Sequence, residues 1–316
     1  MPKAINEELG TTIISSSSTV PTTTTVPDIN ENQSIETTYG LTTEEILDVN
    51  AIKVTISDPS PIVILFGAKT SGKTMTLVRL TRYLRAQGYR VEPDRVFRSA
   101  NSGVYQEMCD KFDETITNDK AAGGTSVIGF MLVTVRDKNG RPICQILEAP
   151  GEHYFDDKER NKPFPRYIHE ILAMSNRRTW VFIVERNWQP GVDSESIRKT
   201  YAEKIISMQD LIPSSDKIIF TCHKADLSRD LFRSGKPIVN QFYNDIKNQY
   251  PGIFARYTNH NPITSLWKPY KFDFVTFSSG VFNKLQDGGQ SYTPSQDFYP
   301  AGLWKKIKKA VMGSWF

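Results

Sequence analysis

The chain has 316 residues, 39% of them apolar, enough to bury a full core as one large domain or two small ones. Its net charge of +4 hides an asymmetry, because residues 1–60 hold two Lys against nine Asp or Glu, and the remainder carries an excess of 11 positive charges. No run approaches the ~20 apolar residues of a membrane span, and no basic start with an apolar block marks a secretory signal, so a cytoplasmic protein is expected.

In chain order, Thr11 to Glu36 is crowded with Ser and Thr and poor in large apolar residues, so residues 1–40 are expected to be a disordered acidic tail. A short helix is expected from Thr42 or Thr43, where Glu45 and Ile46 follow a capping residue. Strand and helix patterns then alternate. The predicted strands are Ile62 to Phe66, Val127 to Val135, Ile143 to Leu147, Trp180 to Val184, Lys217 to Thr221 and Phe272 to Phe277. The predicted helices run over Lys73 to Gln87, Pro165 to Met174, Ser194 to Leu211, Val239 to Tyr250 and Gly302 to Met312. Asp137-Lys138-Asn139-Gly140 is a hairpin turn signal that makes one pair of strands antiparallel.

This pattern predicts an α/β fold, a three-layer αβα sandwich around a mostly parallel six-stranded sheet with one antiparallel edge strand. Residues 41–316 are expected to form its single domain, with inserts at 89–124 and 281–300. The first insert has a possible helix around Val104 to Phe112, and Asn283 to Pro300 is expected to be a surface loop. Cys109, Cys144 and Cys222 lack disulfide or metal-ligand spacing and are expected to be buried free thiols.

Gly67-Ala68-Lys69-Thr70-Ser71-Gly72-Lys73-Thr74 follows the first strand at once and matches G-x-x-x-x-G-K-[ST] completely. Met75, Leu77, Val78, Leu80 and Leu84 then recur at helical spacing. Glycines at Gly67 and Gly72 let the loop curl so that successive N–H groups, those of Ser71 to Met75 included, face phosphate oxygens at a helix N-terminus. Lys73 is expected to reach the β and γ phosphates, and the Thr74 hydroxyl to ligate Mg2+. The expected ligand is therefore a nucleoside triphosphate.

The order of the remaining motifs resembles the Ras-like branch of P-loop GTPases, from Ile62 to the end of the chain. The resemblance implies that Thr125 is the switch threonine on magnesium, and that Glu148-Ala149-Pro150-Gly151 stands for D-x-x-G. Glu148 would then hold the metal through water, and Gly151 would offer its N–H to the γ-phosphate. Glu152 occupies the place of the water-orienting glutamine, where it serves as a catalytic base with Lys73 as the phosphate-directed cation. His153 beside it is expected to face solvent or to orient water. Arg98 is read either as a surface residue or as a cation acting on the transferring phosphoryl group.

His223-Lys224-Ala225-Asp226 reads H-K-x-D, as in Rag-type GTPases. A carboxylate at Asp226 can accept the two N–H groups on guanine's Watson–Crick edge, and the Lys224 stem can pack on the base. Phe277-Ser278-Ser279-Gly280 stands where the family places a loop whose N–H contacts the base oxygen, implicating Ser278 and Ser279. The long first insert and the Gly151-Glu152 pair also resemble bacterial double-GTPase-type proteins.

The implied cofactors are GTP or GDP with Mg2+, and the implied partners are effector or regulator proteins. No specific nucleic-acid site is evident. At the C-terminal end Leu303, Trp304, Ile307 and Val311 share one face amid lysines, which predicts a core helix; peripheral membrane contact is the alternative, with Trp315 and Phe316 nearby. A P-loop ATPase or small-molecule kinase and a non-hydrolysing GTP-binding scaffold are the competing functions.

Overall fold

Five consecutive apolar residues, Ile62–Phe66 (β1), are all buried, as expected of a strand covered on both faces. In the computed structural model the described residues are 40–98, 102–117, 128–156, 158–159, 161–186, 188, 194–266, 269–284 and 290–313, all inside the compact unit Glu36–Phe316. The expected tail and Thr125 fall outside them.

Ahead of β1 lies α1 (Thr43–Leu47), closed by a capping box in which Thr42 and Glu45 exchange backbone-to-side-chain hydrogen bonds of 2.9 and 3.3 Å. After it come α2 (Lys73–Ala86), β2 (Arg90–Pro93), α3 (Ser102–Thr117), β3 (Met131–Arg136), β4 (Pro142–Glu148), α4 (Gly151–Tyr154) and α5 (Arg166–Ala173). The second half contributes β5 (Arg178–Glu185), α6 (Ser194–Leu211), β6 (Lys217–His223), the short ladder of β7 (Phe232–Arg233) with β8 (Lys236–Pro237), and α7 (Val239–Gln249). The chain closes with β9 (Asp273–Thr276), β10 (Gly280–Lys284), β11 (Gln290–Pro294) and α8 (Phe298–Met312).

The central sheet has seven strands in the order β2-β3-β4-β1-β5-β6-β9, one more than expected. The additional strand is β2, inside the region read as an insert; it is only four residues long and buries Val91 alone among its apolar positions, too little for a pattern to show. It also moves the antiparallel strand off the edge. β3 runs against both β2 and β4, while β4, β1, β5, β6 and β9 pair in parallel. The β3–β4 turn forms as expected: Gly140 N–H donates to the Asp137 carbonyl at 2.9 Å, and the Asp137 carboxylate accepts from Asn139 and Arg141.

A second correction concerns 281–300. In place of a loop, β10 and β11 pair as an antiparallel hairpin outside the main sheet, and α8 begins at Phe298, four residues before the expected start. Pro300 sits in the first turn of α8, where a backbone N–H has no intrahelical acceptor, so a proline there does not mark a loop. The core-helix expectation for α8 is met: Leu303, Trp304, Ile307 and Val311 are buried, while Lys306 and Lys309 pair with Asp273 at 2.8 and 3.1 Å. Trp315 and Phe316 lie beyond the described residues. Among the described residues no helix is long and apolar enough to cross a membrane, and all three cysteines are buried free thiols.

Arg98 is neither at the surface nor aimed at a phosphate. It is fully buried, with Nη2 2.5 Å from Glu45 Oε2 and its guanidinium carbon 4.9 Å from the Phe130 ring centroid. The pair fastens α1 to the sheet edge. Arg98→Met leaves the Glu45 carboxylate buried without its cation, so urea denaturation should show a loss of about 3 kcal/mol. Turnover per folded molecule should stay unchanged, whereas an Arg98 acting on phosphoryl transfer would lose most of it.

Candidate functional site

Parallel strands deliver their C-terminal residues to one edge of the sheet. Leu65 of β1 is level with Glu148 of β4 and with Val181 of β5, and Glu185 of β5 is level with His223 of β6. The loop after β1, Gly67–Thr74, therefore emerges between Glu148 on one side and Glu185 and His223 on the other. Crevices of this kind, where chains leave the carboxyl ends of parallel strands in opposite directions, are where α/β sheets bind ligands.

Gly72 adopts φ +88°, and a Cβ there would lie 2.4 Å from His223 Cε1, so both backbone and packing require glycine. No side chain caps the start of α2, which leaves the N–H groups of its first turn, Lys73 to Met75, without intrahelical acceptors. Lys73 is 5% exposed and folds back inside the loop, donating to the carbonyls of Gly67 and Ala68 at 3.0 Å each. Burial pulls its ammonium below the usual lysine range, opposed by Glu148, Glu152 and Glu185. Burial likewise pushes the Glu148 carboxyl up, opposed by Lys73 and by the Thr74 hydrogen bond. Thr74 Oγ1 donates to Glu148 Oε1 at 2.5 Å, while Glu148 Oε2 and Ser71 Oγ are buried with no hydrogen-bond partner.

Gly151, the first residue of α4, lies on the loop itself. A Cβ at this position would be 2.3 Å from the Lys69 nitrogen and 2.5 Å from the Ala68 carbonyl carbon. Any larger residue would force the segment off the loop. Next to it Glu152 Oε1 meets Lys69 Nζ at 2.7 Å. His153 does not face solvent as expected: it is half-buried, its Nδ1 lies 2.9 Å from Tyr167 Oη, and its ring packs edge-on to Phe130. Burial lowers its pKa to about 3.

At the other end of the loop, Lys224 Nζ is 2.7 Å from Glu185 Oε2 and donates to the Thr70 carbonyl at 3.3 Å. His223 is 2% exposed with both ring nitrogens unpartnered. The Ala225 N–H donates to the Phe277 carbonyl at 3.1 Å, which joins the H-K-x-D segment to Ser278 and Ser279, both buried. Asp226 is partly exposed and forms no hydrogen bond or ion pair with any described residue. Glu148, Gly151, Glu152, His223, Lys224, Asp226, Ser278 and Ser279 thus lie on the segments that surround or extend from the phosphate loop. Glu185 was not singled out in the sequence. Its signal was an acidic residue directly after the apolar run Trp180 to Val184, as Glu148 directly follows Ile146 and Leu147. Lys69 escaped notice because a lysine in a glycine loop reads as solvated.

Polyphosphate chemistry needs a loop of this kind, and the sheet order around it is that of the three-layer αβα P-loop NTPase fold. No protein-family model matches the chain, and no curated protein sequence matches it. Solved structures similar to it include nucleolar GTP-binding protein 1 of Plasmodium falciparum, as that protein is described, at 17% identity over 72% of this chain and 80% of the other, with a TM-score of 0.34. The Ski7 GTPase-like domain of S. cerevisiae, bound to GDP and inorganic phosphate, is 14% identical over 84% of this chain with a TM-score of 0.37. Roco2 RocCORdC of Methanosarcina barkeri, bound to GDP, is 12% identical over 82% with a TM-score of 0.33. The matches span about half of those two chains, 52% and 50%.

Burial, with Lys224 adding to it, lowers the His223 pKa from 6.5 to about 3. The unfolded chain therefore takes up a proton near pH 6.5 that the folded one refuses until about pH 3. This contribution to stability is complete above pH 6.5 and is lost as pH falls below it. Between pH 6.5 and about 5 the loss is roughly 2 kcal/mol. Urea denaturation at about pH 7.5 and 5 should show a loss smaller by that amount in His223→Asn; equal losses in the two proteins would mean that His223 titrates normally in the fold.

Proposed function

We propose that the chain binds GTP and GDP with Mg2+ and is a switch protein that hydrolyses GTP slowly. The observation that supports guanine is the Asp226 carboxylate, unengaged and carried beside Lys224 on a segment fastened to the phosphate loop through Thr70. Two N–H groups on guanine's Watson–Crick edge suit such an acceptor, and adenine has no such pair. Lys224 spans the loop carbonyl and Glu185, and its stem would pack on the base.

Thr74 Oγ1 and the Glu148 carboxylate are hard oxygen donors, and Glu148 Oε2 has no partner, so the residues fit a magnesium ion. No group of three or more His, Cys, Asp or Glu able to hold a metal occurs among the described residues, which suits an ion that takes most of its ligands from phosphate and water. Thr74 would hold it directly, Glu148 through water, and Thr125 on the reading from the resemblance. When bound, the ion neutralises charge on the β and γ oxygens.

Lys73 then exchanges its two carbonyl acceptors for phosphate oxygens. Gly151 lies against the loop; its N–H is the group that senses the γ-phosphate, and movement of this segment is what effector proteins would read. Glu152 is the base for the attacking water. Its pairing with Lys69 and its like charge beside the phosphate both favour slow turnover. That pairing also supports a second reading, a scaffold that binds GTP without hydrolysing it.

Competition of labelled GTP by GTP, GDP, ATP and XTP, with and without Mg2+, tests the assignment. GTP and GDP should compete and ATP should not. Asp226→Asn should exchange guanine for xanthine preference by a factor of about a hundred, and Lys73→Ala should abolish binding. Equal competition by ATP would remove the guanine assignment, and single-turnover hydrolysis with no phosphate released would leave the scaffold.

A further inference from the structure

The hairpin β10–β11 leaves the sheet directly after Ser278 and Ser279, and its return strand is locked to the helix that carries the phosphate loop. Arg79 of α2 is 5% exposed and donates Nη2 to the Ser295 carbonyl and to Asp297 Oδ1, each at 2.6 Å, and Nε to Ser295 Oγ at 3.3 Å. Ser295 in turn donates Oγ–H to the Ser278 carbonyl at 2.6 Å and its backbone N–H to the Ser279 carbonyl at 3.2 Å. The Tyr292 hydroxyl also donates to the Ser279 carbonyl, and Arg82, on the same helix, stacks its guanidinium 5.4 Å from the Tyr292 ring centroid. The root of the hairpin is narrow: Gly280 takes φ +127°, and a Cβ there would lie 2.2 Å from the Thr293 carbonyl oxygen.

A peptide group is planar, so fixing the carbonyl of one residue fixes the N–H of the next. The Phe277 carbonyl is held by Ala225 N–H, which sets the direction of the Ser278 N–H. The Ser278 carbonyl is held by Ser295, which sets the direction of the Ser279 N–H. Neither N–H donates to a described residue, although Ser278 and Ser279 are 1% and 6% exposed. Two buried amide donors are thus aimed by clamps on their own peptide planes and left without an acceptor. Unpaired buried amides are costly and rare, which points to an acceptor supplied by a ligand.

We infer that Ser295, held by Arg79, is a positioning residue for base recognition: it aims the Ser279 N–H at the 6-oxo oxygen of guanine, so that the hairpin and the phosphate-loop helix together set base selectivity. The inference rests on the guanine-nucleotide reading above. Its chemistry is specific, since the donor serves only a base with an acceptor at position 6. Loss of the clamp therefore penalises guanosine and inosine triphosphates, both of which carry the 6-oxo group, and spares 2-aminopurine riboside triphosphate, which lacks it.

The test measures affinities of the full chain for these three triphosphates with Mg2+. In Ser295→Ala, affinity for the two 6-oxo nucleotides should fall about fivefold to tenfold, with 2-aminopurine riboside triphosphate unchanged, and Ser295→Thr should restore the preference. Arg79→Lys should shift the preference in the same direction, with thermal denaturation checking that each variant is folded. An equal loss for all three nucleotides, or an unaltered preference in Ser295→Ala, overturns the relay while leaving guanine binding intact. A wild-type chain that does not distinguish GTP from the 2-aminopurine analogue overturns the relay and the guanine assignment together.

Discussion

A buried ammonium organises this protein. Lys73 is enclosed in the loop that carries it, and a cation taken out of water is tolerated only where oxygen atoms surround it. The carbonyls of Gly67 and Ala68 turn inward to meet it, and Glu148 lies close enough to oppose its desolvation. Loop curvature, the carboxylate at the end of β4 and the bond from Thr74 to that carboxylate all follow from satisfying this group. A phosphate chain entering the loop would supply the same kind of oxygen.

Two segments far from that loop in sequence bear on it, through three different physical contacts. Gly151 touches Ala68 and Lys69 through backbone alone, with no space for a side chain. His223 lies flat against Gly72. Lys224 reaches the Thr70 carbonyl while anchored to Glu185. A change at the phosphate end therefore has direct mechanical routes to the segment after β4 and to the segment after β6. The hairpin adds a third route, from α2 through Arg79 and Ser295 to the loop at Ser278. Densely packed contacts of this sort shift between discrete arrangements rather than deforming smoothly.

The phosphate loop was legible because its chemistry is local: glycines, lysine and threonine must stand at fixed spacing for one turn of backbone to face an anion. The strands flanking it were legible as apolar runs, and the helix start at Thr42 or Thr43 as a short-range capping pattern. Arg98 was misread because an arginine's burial depends on a distant partner, here Glu45 on α1, which no window around residue 98 contains. β2 was missed because a four-residue edge strand is stabilised by its ladder with β3 and not by its own composition. The hairpin after Gly280 was hidden for a related reason: its glycines and prolines read as loop, while Arg79 and Tyr292 hold it from outside the segment.

The sequence by itself determined that a polyphosphate loop joins a buried strand to a helix, that helices cover a mostly parallel sheet, and that carboxylates and a K-x-D segment follow at strand ends. These are properties of neighbouring residues, set by hydrogen-bond geometry and apolar periodicity. Only the tertiary structure decided which groups meet: that Glu152 pairs with Lys69, that Glu185 holds Lys224, that His223 packs against Gly72, and that Ser295 holds the Ser278 carbonyl. Each of those contacts joins residues brought together by strand order and register, and the energy of such a contact belongs to the pair, not to either residue's place in the chain.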